Sequence, residues 1–77
     1  MGYQVRTKGG ELKARMDNAV AEKLMASTAG FFRKTRHENK PQKTVFEFTE
    51  DLVFGYEVGR SMFSICLWVG DILEPTI

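Results

Sequence analysis

Seventy-seven residues and 8.8 kDa allow one small domain, and they exclude a barrel enzyme or a full dinucleotide-binding fold. With 43% hydrophobic, 27% charged and 12% aromatic residues, the composition argues against a disordered chain. The net charge of +1 conceals an asymmetry: +6 over residues 1–44 and −5 over residues 45–77. A chain this short buries only roughly 60% of the surface its unfolded form exposes. Its stability is therefore expected to lie between a few and about ten kcal/mol.

The chain opens on Gly2-Tyr3-Gln4-Val5-Arg6-Thr7, whose alternation suits a short edge strand. This start has no apolar signal-peptide core, and Arg6 stands where a myristoylation pattern needs Ser or Thr. Gly9-Gly10 marks a turn and the expected start of a long helix over about 10–36, with Glu11 in its positive first turn. All five alanines precede residue 30. Leu12, Met16, Ala19, Val20, Leu24 and Phe31 fall on one helical stripe of about 140°, wide enough to dock on a sheet. Gly30 is a plausible stop, with Phe31 and Phe32 able to extend the helix.

A basic segment follows over 33–43, around the linker Asn39-Lys40-Pro41-Gln42. Arg33, Lys34, Arg36, His37, Lys40 and Lys43 lie beside Phe31 and Phe32. Basic groups interleaved with aromatics suit phosphates and stacked bases, or an acidic patch on a protein. The overall pI near 7.9 is low for a dedicated nucleic-acid binder.

Residues 44–77 read as strands. Residues 43–77 hold no alanine and sixteen β-branched or aromatic residues out of thirty-five. Phe46 and Phe48 alternate with Val45, Glu47 and Thr49. Phe54, Tyr56 and Val58 alternate with Gly55 and Glu57. Phe63, Ile65, Leu67 and Val69 make one apolar face. Gly59-Arg60 and Gly70-Asp71 suit two-residue hairpin turns of type II′. Pro75 fits an edge or terminal strand. The expected fold is therefore α+β: one long amphipathic helix on a small antiparallel sheet of three or four strands. A second reading starts from Thr49-Glu50-Asp51 as a helix cap and makes residues 50–74 a helix, giving an all-α hairpin that dimerises. Three interior glycines and many β-branched residues count against it.

Met62, Cys66 and Trp68 alternate with the Phe63 set and give the sheet a partly apolar second face. Such a face suits a partner or a second copy of the chain. Trp68 and Met62 are the apolar anchor candidates, and Glu57 and Asp71 the acidic ones. Cys66, within Ser64-Ile65-Cys66-Leu67-Trp68, is read as a buried core thiol. One cysteine and one histidine leave no disulfide framework and too few ligands for a Cys/His zinc site. No metal or cofactor is expected, and no reacting group has a visible helper. No uncharged apolar run is long enough to span a bilayer.

These readings point to a cytoplasmic, non-catalytic protein that binds another macromolecule, with a protein partner as the first expectation. Inhibitors and adaptors that phages and plasmids carry against host defences, anti-CRISPRs among them, are of this size and type. That is an analogy and not a sequence match. The alternatives are a nucleic-acid-binding module using residues 33–43 and a structural homodimer.

Overall fold

Leu12, Ala14 and Met16 alternate with Lys13, Arg15 and Asp17, a period-two pattern that competes with the helical stripe. In the computed structural model, which describes residues 2–36 and 44–76, the period of two wins. Of the described residues 57% are in strands and 15% in one helix. The chain runs β1 (Gly2–Arg6), β2 (Leu12–Asp17), α1 (Asn18–Ser27), β3 (Phe32–Arg36), β4 (Thr44–Phe48), β5 (Leu52–Val58), β6 (Ser61–Leu67) and β7 (Ile72–Pro75).

The expected long helix over 10–36 is thus replaced by a strand, a short helix and a second strand, and residues 50–74 form no helical hairpin. The reasons are local. Gly9-Gly10 belongs to the turn between β1 and β2, where the Gly10 N–H donates to Thr7 O (2.9 Å) and the Thr7 N–H to Glu11 O (2.8 Å). Gly10 has φ +88°, which suits a turn. The helix begins only where Asp17 accepts the Val20 N–H on its side chain (2.8 Å), a cap well inside the expected helix. It ends at Thr28, whose N–H and hydroxyl both donate to Leu24 O. Beyond Gly30 (φ +97°), Phe32 to Arg36 pairs with β4, so residues 33–36 are strand and not linker.

The larger sheet has the order β2-β1-β7-β4-β3, and every neighbouring pair is antiparallel. β1 is an inner strand of it and not an edge. The late strand β7 inserts between the β1–β2 and β3–β4 hairpins, with Leu73 opposite both Val5 and Phe46. Pro75 closes β7 beyond its pairs with β4, where a missing N–H costs the ladder little. One face carries Tyr3, Val5, Ala14, Met16, Phe46, Phe48 and Leu73. Val20, Ala21 and Leu24 of α1, with Phe54, Ile65 and Leu67 of the β5–β6 ribbon, complete the core over it. Phe48, Leu24, Leu67, Leu73 and Val5 are fully buried, each worth about 1.5–3 kcal/mol. The opposite face buries Val45 and is otherwise mostly polar, bonded across strands: Glu74 Oε1 accepts from Gln4 (3.0 Å) and Arg6 (2.9 Å).

Candidate partner-binding surface

β5 and β6 form a separate two-stranded ribbon, paired from Leu52–Leu67 to Val58–Ser61. Gly59-Arg60 is the expected two-residue turn. Gly59 takes φ +63° and, among the described residues, no non-glycine residue has a positive φ, which fits the first position of type II′. Alternation along the ribbon separates two faces. Leu52, Phe54, Ile65 and Leu67 turn toward the core, and Tyr56 and Phe63 extend the same face. Phe54, Tyr56 and Phe63 stack in series, with ring centroids 5.5 and 5.7 Å apart. Val53, Met62 and Cys66 turn outward, and Trp68 follows in the same alternation. Val53 and Met62 are each 68% exposed and Trp68 is 57% exposed.

The second face expected from sequence is therefore present and lies in solvent. Cys66 goes with it: it is exposed, opposite Val53, and is not a core thiol. The alternation that buries Ile65 and Leu67 turns Cys66 the other way.

Trp68 opens the turn that links the two sheets. The Asp71 N–H donates to Trp68 O (2.9 Å), and Gly70 takes φ +93° at the third position. This turn leads from one sheet into the other, so Gly70-Asp71 is not the tip of a hairpin as expected. Asp71 is only 2% exposed and cannot serve as an acidic contact for a partner. Its Oδ2 accepts from the Trp68 N–H (2.9 Å) and from Lys13 Nζ (2.7 Å). Lys13 is the extra residue of an irregularity in the β1–β2 register, where Val5 faces Ala14 and Arg6 faces Leu12. Such a bulge re-aims a side chain. The Lys13 ammonium reaches Asp71 and also lies 4.0 Å from the Trp68 ring centre. The exposed indole is thus braced from beneath, and Asp51 accepts the Val69 N–H (2.7 Å) beside it.

At the other end of the ribbon, Met62 and Glu57 face each other across the strands. With Tyr56 they border an open groove of about 560 Å³, closed on its far side by Lys23, Ala26 and Ser27 of α1. Sequence reasoning missed Lys13, Val53 and Tyr56 as members of this surface. Val53 shares the parity of Glu57 and was legible. Nothing in the sequence marks the Lys13 bulge.

The chain matches no family model, no curated protein and no solved structure.

Of the basic candidates, Arg33, Lys34 and Arg36 are described, and all three lie on the edge strand β3. Arg33 and Lys34 are neighbours on β3 and point to opposite faces, and Arg33 pairs with Glu47 (2.8 Å). Arg36 ends the strand opposite Thr44. His37, Lys40 and Lys43 lie outside the described residues. Among the described residues no group of three His, Cys, Asp or Glu stands together as metal ligands. Among the described residues no helix is long and apolar enough to cross a membrane.

Proposed function

We propose that the chain is a non-catalytic protein-binding module, an inhibitor or adaptor that grips another protein with the outward face of the β5–β6 ribbon. One observation carries this reading. Val53, Met62 and Trp68 stand in water along one side of the ribbon, and the Trp68 ring is already held over Lys13. Large apolar side chains exposed on one face of a small protein favour a contact surface. Aromatic residues and methionine are enriched at interfaces, and a preorganised tryptophan loses little freedom on binding. The acidic Glu57 at the groove end adds a polar rim. The analogy of size and type to phage- and plasmid-borne inhibitors of host defence suggests where a partner is to be sought.

The test is capture from a lysate of the source cells with the wild-type chain and with a Trp68→Ala, Met62→Ala variant as baits. A stoichiometric protein held by the first and lost from the second supports the reading. Equal capture by both baits contradicts it. The nucleic-acid reading rests on Lys34 and Arg33 at the edge strand β3, and it predicts binding that falls steeply with salt.

A further inference from the structure

We propose that the free edge of β6 pairs with β6 of a second copy, antiparallel about a two-fold axis through Phe63, so that two ribbons become one four-stranded sheet. The inference is independent of the reading above, because edge pairing leaves the outward face open.

Among the described residues four strands have an unpaired side: β2 and β3 at the ends of the larger sheet, and β5 and β6 in the ribbon. Proteins guard such edges with charges, proline or irregularities. β2 carries Lys13, Arg15 and Asp17, and β3 carries Arg33, Lys34 and Arg36. β5 carries Glu57 and Gly55. β6, Ser-Met-Phe-Ser-Ile-Cys-Leu, has no charge, no glycine and no proline. It is the one unguarded edge of the four.

The ribbon geometry says which groups it offers. A two-residue turn closes on a hydrogen-bonded pair, here Val58–Ser61, and such pairs recur at every second position. Phe63 and Ile65 therefore bond inward to Tyr56 and Phe54. The N–H and C=O groups of Met62, Ser64 and Cys66 point away from β5, toward the open side. Two-fold pairing centred on Phe63 sets Met62 of each copy opposite Ser64 of the other, outward groups meeting outward groups.

Two features favour a second copy as the occupant. Isologous pairing sets a strand against itself, and a strand without charge meets no like charge. The basic strand β3 could not pair with itself on those terms. In addition, Phe63 ends the Phe54–Tyr56–Phe63 stack and is 48% exposed. On the axis the two Phe63 rings face each other, and the stack runs on into the second copy. The same pairing carries Arg60, the only base of residues 45–77, toward the end where Glu50 and Asp51 lead into the other ribbon.

Sedimentation over a wide concentration range, up to the solubility limit, tests this. The wild-type chain is expected to shift from monomer to dimer. Phe63→Lys, which sets two ammonium groups on the axis, is expected to abolish the dimer, and an equimolar mixture with Phe63→Glu to restore it as a heterodimer. Ser64→Pro deletes only an outward N–H and is expected to weaken the dimer while the far-UV circular dichroism stays that of the wild type. Independently, Phe63→Cys in a Cys66→Ser background is expected to form an intermolecular disulfide under mild oxidation, because non-hydrogen-bonded pairs bring Cα atoms to about 4.5 Å. A wild-type chain that stays monomeric at every concentration overturns the proposal. So does a dimer that neither Phe63→Lys nor Ser64→Pro weakens.

Discussion

Lys13 Nζ lies 2.7 Å from the buried carboxylate of Asp71, and this pair joins the bulge of β2 to the turn that presents Trp68. Their side chains are 17% and 3% exposed. Replacing Lys13 by Met leaves a buried carboxylate with the Trp68 N–H as its neighbouring donor. Removing one member of a buried pair is strongly destabilising, so a loss of about 3 kcal/mol is expected from urea unfolding. The near-UV dichroism of the indole should weaken as well, because the cation beneath the ring is gone. A variant with unchanged stability and an unchanged indole signal would remove the brace from the account.

Gly70 and Gly59 both hold positive φ but differ in their surroundings. A Cβ at Gly59 meets open space, whereas at Gly70 it would collide with the side chain of Lys8. Gly59→Ala is expected to cost about 1–3 kcal/mol from backbone strain alone. Gly70→Ala should cost more, because the Lys8 stem must also move. Thermal unfolding of the two variants side by side measures the order.

Most strands of the second half and the opening strand β1 were legible in the sequence, whereas residues 10–36 were not. Thr44 to Pro75 announces its strands through β-branched and aromatic alternation, and the Gly59-Arg60 turn stands where expected. Leu12 to Asp17 satisfies two periods at once. Leu12 and Met16 are four apart, as on a helix, while Leu12, Ala14 and Met16 alternate, as on a strand. Alanine content favoured the helix, but pairing with β1 decided for the strand. Asp17 was available as a cap, but the helical stripe starting upstream at Leu12 hid it. Of the proposed surface, Trp68, Met62 and Glu57 were found by parity. Asp71 was misplaced because its burial depends on Lys13, which is distant in sequence and re-aimed by a bulge that no local pattern encodes.

Asp17 is the side-chain cap of α1, and Asp17→Ala removes an acceptor from the Val20 N–H. A loss of about 1 kcal/mol is expected, read as a lower urea midpoint with an unchanged slope. Asn18→Ala, one residue on, is expected to leave the midpoint nearly in place.

Leu73 is fully buried on the short strand that joins the two hairpins of the larger sheet. Leu73→Ala is expected to cost about 2–5 kcal/mol. In a chain holding roughly 0.05–0.15 kcal/mol per residue, that loss is a large part of the total. Calorimetry should show a strongly lowered transition, or none.

The central claim, that the outward ribbon face makes the functional contact, is tested most directly by titrating the purified partner against Trp68→Ala and Lys34→Ala at low and high salt. The account predicts that Trp68→Ala weakens binding by about thirtyfold or more, the loss typical of a buried aromatic anchor. It also predicts that Lys34→Ala and salt have little effect. Binding that is indifferent to Trp68→Ala but collapses with salt and with Lys34→Ala would contradict it, and would move the contact to β3.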